Sequence, residues 1–171
     1  MVASVDKSLD ENFEISKELK KKIDHELAKY PDNQRQSAVM ASLTYAQDEN
    51  GGYLTKKIMH AVAKYLQIPS IVAEETASFY SMYESKPVGK YKICICTNIS
   101  CKLKGSDSIV SHLKNKLGVT NFGEVSQDKR FSLKHVECLG ACVGAPAIHI
   151  GDDYHENLTP EKIDNILAKL K

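Results

Sequence analysis

Apolar residues in the first half of the chain recur at helical spacing. Leu19, Ile23 and Leu27 follow Ser16 at four-residue intervals until Pro31 closes the run. A serine there can accept from the unpaired N–H groups that open a helix. A second segment places Val39, Leu43 and Ala46 on one face and stops at Gly51-Gly52, a natural helix end. A third runs from Thr55 with Ile58, Val62 and Tyr65 in register. After Ile68-Pro69, Ser70 can cap a fourth, whose apolar face reads Val72, Thr76, Phe79 and Met82 or Tyr83. Four amphipathic helices with short connectors predict a compact bundle. The aromatic residues Phe79, Tyr80 and Tyr83, at helical spacing, read as core or interface packing. Residues 1–13 are polar and read as a loose leading segment.

The period changes in the second half. Tyr91 to Cys96 alternates, which predicts a strand with Ile93 and Ile95 on one face. Gly105-Ser106-Asp107 opens a helix with Ile109, Val110, Leu113 and Leu117 as its stripe, and Gly118 ends it. Phe131 to Val136 and Ala147 to Ile150 read as strands, and Gly151-Asp152-Asp153 turns into a short strand near Tyr154-His155-Glu156. Thr159-Pro160-Glu161 starts a last helix with a capping hydroxyl, a proline in the first helical position and an acid facing the helix dipole. Its stripe is Ile163, Ile166, Leu167 and Leu170. The order β-α-β-β-β-α describes a small α/β sheet domain. Between the halves, Ser85-Lys86-Pro87-Val88-Gly89-Lys90 concentrates turn-forming residues. The expected organisation is a helical domain over residues 1–85 and a mixed domain over 86–171.

A chain of 171 residues suits one domain or two small ones and needs no disulfides to stay folded. Residues 1–90 carry 12 basic and 13 acidic side chains, and residues 91–171 carry 11 and 9. Neither half is a polycation, which argues against nucleic-acid or anionic-membrane binding by bulk charge. No apolar run approaches the ~18 residues that cross a bilayer. The N-terminus resembles neither a secretory signal nor a transit peptide. The expectation is a soluble, cytosolic protein whose link to any membrane runs through a partner.

Five cysteines, all between Cys94 and Cys142, change the picture. An odd, clustered set in a cytosolic chain points to a metal site rather than a disulfide framework. Cys96 and Cys101 form Cys-x4-Cys, and Cys138 and Cys142 form Cys-x3-Cys. Each pair follows a predicted strand, so two loops of one sheet can meet. Thiolates select zinc or iron–sulfur clusters. Pair spacing does not choose between them, although Cys-x4-Cys opens the plant-type [2Fe–2S] pattern. Gly140 and Gly144 permit tight loops whose N–H groups can point at sulfur. Ile99, Leu139, Ala141, Val143 and Ala145 could exclude water. Cys94 shares a strand face with Cys96 by parity and reads as a buried thiol outside the site. Exchanging it for Cys96 would give the less usual Cys-x6-Cys. No histidine lies inside either cysteine loop, and His135, near Cys138, reads as structural. Dinucleotide, Walker and nucleophile-elbow motifs are all missing from the sequence.

Four stretches together carry a family resemblance. They are Thr76 to Tyr83 (TASFYSMY), Lys86 to Tyr91 (KPVGKY), Cys96-Thr97-Asn98 with Cys101, and Val136 to Cys142 (VECLGAC). From about Phe13 onward the chain resembles the E-subunit family of bacterial NADH–quinone oxidoreductase (respiratory complex I), known in mitochondria as the flavoprotein 2 subunit. The resemblance implies an N-terminal four-helix region followed by a thioredoxin-like domain with one [2Fe–2S] cluster. The family's ligands fall on Cys96, Cys101, Cys138 and Cys142, leaving Cys94 without a role. It further implies a partner subunit that binds NADH and FMN. The cluster here would exchange one electron with that flavin, as a side reservoir or on the main route. The chain would have no NADH or quinone site of its own. Phe79, Tyr80 and Tyr83 are candidate anchors for the partner. The expected location is cytoplasmic, peripheral on the inner face of the bacterial plasma membrane through the complex. Similar subunits serve NAD-reducing hydrogenases and NAD-dependent formate dehydrogenases, and a zinc-stabilised interaction protein or a free thioredoxin-like ferredoxin are rivals of other classes.

Overall fold

The computed structural model describes residues 13–170, so the leading polar segment lies, up to residue 12, outside the described residues. The chain divides between Pro87 and Val88 into two compact units.

The first unit is helical. Helices α1 (Lys17–Leu27), α2 (Val39–Glu49), α3 (Lys56–Leu66) and α4 (Ser70–Phe79) are joined by short turns, with a 3-10 stretch over Asp32–Ala38 leading into α2. Ser16 Oγ accepts from Leu19 N–H at 3.0 Å, so that expected cap forms, and Thr55 Oγ1 caps α3 in the same way by accepting from Ile58 N–H at 3.3 Å. The 3-10 stretch, which apolar spacing does not signal, delivers Arg35, whose Nε donates to the carbonyl of Leu66 at the end of α3 (2.9 Å). Leu19, Ile23, Leu43, Leu54, Ile58, Val62 and Leu66 form the core, each almost wholly removed from water.

Helix α4 departs from expectation. Pro69 occupies the cap position and Ser70 is already helical. The buried residue is Ala73, with Ala77 packed beside it, while Phe79 is 81% exposed. The expected stripe fails because α4 ends at Phe79 and the chain turns back. Tyr83 then drops into the core, 6% exposed, and its hydroxyl donates to Met40 O at 2.8 Å. Tyr83 is therefore a core residue and not an available anchor.

The second unit is a four-stranded sheet with helices. Its elements are β1 (Tyr91–Cys96), α5 (Ile99–Leu103), α6 (Ser106–Leu117), β2 (Phe131–Val136), β3 (Ile148–Ile150), β4 (Asp153–His155) and α7 (Pro160–Lys169). The strand order is β2-β1-β3-β4, with β1 and β2 parallel and the other pairs antiparallel. As a central strand, β1 is buried from Ile93 to Cys96 rather than on alternate residues. Ile93, Ile95, Leu133 and Ile148 pack with Ile109 and Leu113 of α6 and Ile163 of α7 in one core. Each such side chain contributes about 1.5–3 kcal/mol through burial. Asp164 of α7 meets His112 at 2.9 Å and Lys116 at 3.2 Å on α6, tying the two helices together.

This topology creates one special edge. Cys96 and Val136 end β1 and β2 directly opposite each other. The segment after β2 returns to antiparallel β3 at that same edge, and Cys96 N–H donates to Ala147 O at 3.2 Å. The segment between Val136 and Ile148 thus leaves and rejoins the sheet at the end of β1 where Cys96 lies.

Candidate metal centre

Cys96 closes β1 and is 3% exposed. The next turn is set by Asn98, whose Oδ1 accepts from Ile99 N–H at 2.7 Å and opens α5. That single turn of helix carries Cys101, 2% exposed, back against Cys96. The first cysteine pair is therefore strand plus helix, not the simple loop that spacing suggests. Asn98, a good cap residue three positions before Cys101, is the sequence signal that would have found α5.

The second pair is exposed. Cys138 lies two residues beyond β2, and Cys142 begins a 3-10 turn over Cys142–Gly144. Gly140, with φ at +73°, adopts a left-handed conformation that aims its N–H at Cys138 Sγ, 3.3 Å away. Gly144 does not share that task, because its N–H donates to Ala141 O at 3.1 Å.

Backbone donors converge on the buried pair as well. Burial raises the Cys96 thiol, but N–H groups of Asn98 and Leu139, with the Cys101 thiol, outweigh it and hold Cys96 below the usual thiol range. Cys101 is pushed up to about 11 by burial first, then by the Cys96 sulfur it donates to; Ala147 N–H opposes this only in part. Cys96 Sγ also lies 3.8 Å from Glu137 O. Cys142 lies near enough to Cys101 to add, as the smallest contribution, to raising that thiol.

Among the described residues, no three His, Cys, Asp or Glu side chains gather closely enough to hold one metal ion. The sulfurs are instead paired, with N–H donors directed at Cys96, Cys101 and Cys138. That donor set fits an anionic group held by thiolates, since hydrogen bonds to sulfur offset its charge. Of the expected apolar wall, Leu139 and Ala145 pack against Cys96 and Cys101. Ile99 (64% exposed) and Val143 (fully exposed) face outward instead. Cys94 sits one turn of the pleat inside β1, paired in register with Lys134 and His149 and 8% exposed. Two of the histidines pack on aromatic rings: His135 lies tilted against Phe122 and His149 against Tyr154, both with ring centroids 5.0 Å apart.

Relatives match along most of the chain. A protein of Rickettsia bellii (strain RML369-C), named as the E-subunit of NADH-quinone oxidoreductase, is 44% identical over 160 residues, covering 94% of this chain and 95% of the relative. A namesake from Rickettsia conorii (strain ATCC VR-613 / Malish 7) is 42% identical with the same coverage. Among solved structures, an NAD+-reducing [NiFe]-hydrogenase in the air-oxidized state aligns at a TM-score of 0.59 and 22% identity. That match covers 67% of this chain but 20% of the hydrogenase chain, and it shows a shared fold. The model of the thioredoxin-like [2Fe-2S] ferredoxins matches residues 23–171, taking in all five cysteines and the whole sheet, and the chain belongs to that family.

Proposed function

We propose that Cys96, Cys101, Cys138 and Cys142 hold one [2Fe–2S] cluster in the electron-transfer subunit of the NADH dehydrogenase module of an NADH–quinone oxidoreductase. The observation that carries this reading is the paired arrangement of four thiols at one sheet edge with backbone N–H groups aimed at three of them. A lone zinc asks for four sulfurs around one point at ~2.3 Å. A two-iron centre takes two from each side, which suits one buried pair and one exposed pair delivered to the same end of the sheet.

When bound, the cluster supplies storage and transfer of one electron. The chain's own residues do the rest. Cys96 and Cys101 anchor the buried side, while Cys138 and Cys142 form the exposed side towards a redox partner. The N–H groups of Asn98, Leu139, Ala147 and Gly140 offset negative charge on sulfur. Leu139 and Ala145 keep water from the buried pair. NADH and FMN belong on the partner flavoprotein in this reading. No helix among the described residues is long and apolar enough to cross a membrane; attachment to one would come through the rest of the complex. Iron and acid-labile sulfide analysis with an electron paramagnetic resonance spectrum of the dithionite-reduced full chain tests the reading. About two irons per chain and a signal from one unpaired electron are expected; colourless protein with zinc would sink it.

The two expected domains, residues 1–85 and 86–171, act in this reading as docking domain and redox domain. Phe79 and Tyr80 stand exposed edge-to-face at 5.1 Å, with Ile71 and Met82 also exposed on the same unit. Exposed aromatics of this kind are frequent binding anchors, each worth upwards of about 2 kcal/mol. The double variant F79A/Y80A should lower affinity for the flavoprotein partner at least ten-fold in a pull-down titration while keeping its iron. Undiminished capture would remove these residues from the interface.

A further inference from the structure

Two buried side-chain oxygens among the described residues have no hydrogen-bond partner, Ser106 Oγ and Ser132 Oγ. A hydroxyl left in that condition costs about 1–3 kcal/mol, so a bound group that satisfies it is the natural explanation. The two serines sit at opposite edges of the sheet. Ser132 is the second residue of β2, paired with Lys92 near the start of β1. Ser106 is the first residue of α6 and is wholly buried.

The topology fixes where α6 begins. Because β1 and β2 are parallel, the chain leaves β1 at its C-terminal end and must cross back to the start of β2. Helix α6 makes that return, packing Ile109 and Leu113 on the sheet core. Its N-terminus therefore lies at the edge where Cys96 ends β1. Cys101 precedes Ser106 by five residues on α5, which packs against α6, and Gly105 (φ +92°) turns the chain between them. A 12-residue helix carries roughly half a positive charge at its N-terminus. The partial positive charge and the unpartnered hydroxyl are thus brought together at the cysteine edge.

We propose that the Ser106 hydroxyl, at the N-terminus of α6, donates a hydrogen bond to a sulfur of the [2Fe–2S] cluster and favours its reduced form. This rests on the four-cysteine reading above. An all-thiolate two-iron centre carries about two negative charges when oxidised and three when reduced. A donor aimed at its sulfur, backed by the helix dipole, therefore stabilises the reduced state more. The serine acts on the potential and leaves the ligand set unchanged.

The test compares full-length wild-type, S106A and S132A chains loaded with iron and sulfide. Iron content comes first: an iron-free wild-type chain overturns the four-cysteine reading, and this proposal with it. With iron in place, S106A should hold as much iron as wild type yet reduce with an equilibrium constant about ten-fold lower, a shift of about 59 mV to more negative potential. Electron–nuclear double resonance in H2O and D2O should show one exchangeable-proton coupling lost from S106A. S132A should match wild type in both. An unchanged potential and unchanged couplings in S106A, or an equal shift in S132A, overturn the proposal. If S106A fails to hold iron, S106T decides, because it keeps the hydroxyl. Iron and potential restored in S106T support the proposal, and iron missing from both overturns it.

Discussion

Serine at any one of positions 96, 101, 138 or 142 is expected to cut bound iron from about two per chain to near background and to abolish the reduced-state magnetic signal. The loss should differ in character between the pairs. C96S and C101S place a hydroxyl where burial is nearly complete, between Leu139 and Ala145. A buried polar group without a full set of partners adds its own penalty to the lost ligand, so these two variants should also lower the stability of the metal-free chain. C138S and C142S lie on an exposed loop and should lose iron with little effect on the metal-free fold. C94S separates ligation from mere proximity, since Cys94 shares the strand and the burial of Cys96. It should keep its iron. Visible absorbance, iron analysis and urea unfolding of metal-free protein read all five variants. Full iron in C101S, or none in C94S, would overturn the assignment.

Much of this architecture is legible in the sequence because it rests on periodicity and capping. Leu19-Ile23-Leu27 and the Thr159-Pro160 start name two helices almost to the residue, since side-chain caps act locally. The cysteine pairs are legible for a similar reason, as the first starts on the last residue of one clearly patterned strand and the second two residues beyond another. Tertiary context decides the rest. Alternation in Tyr91 to Cys96 places Ile93 and Ile95 on one face, but not how far burial extends: in the fold Cys94 and Cys96 on the other face are buried as well. The helical register of Phe79 and Tyr83 suggests one shared face. The chain leaves the helix at Phe79, so one ring is exposed and the other fills the core. Helix α5 is too short for a periodic signal and is visible only through its cap, Asn98. Which glycine N–H faces sulfur depends on the left-handed turn at Gly140, and spacing says nothing about that. Ser106 carries no sequence signal for a role at the metal centre. Its interest appears only once burial and hydrogen bonding are known together.

Gly89 should tolerate no side chain. It is buried just ahead of β1, and a Cβ built on it would overlap the main-chain N, Cα and C of Phe131, the first residue of β2. A flexible side-chain tip could move aside; a backbone held in a sheet cannot. The two segments are stitched there, with Lys90 N–H donating to Lys129 O at 3.2 Å and Tyr91 N–H to Arg130 O at 2.7 Å. Those bonds begin the parallel register that ends with Cys96 opposite Val136. G89A must therefore push β2 away from β1 at one end or shift its register, and a one-residue shift would turn Leu133 out of the core. Overpacking usually costs about 1–3 kcal/mol, and a backbone collision sits at the upper end. We expect G89A to destabilise the sheet unit by about 3 kcal/mol in urea unfolding, a large share of the ~5–15 kcal/mol that holds a domain together. Iron retention should fall with it, because Cys96 and Cys138 reach the metal centre only when β1 and β2 end together. A G89A chain as stable as wild type would mean that Phe131 can yield, and that the cysteine edge does not depend on this contact.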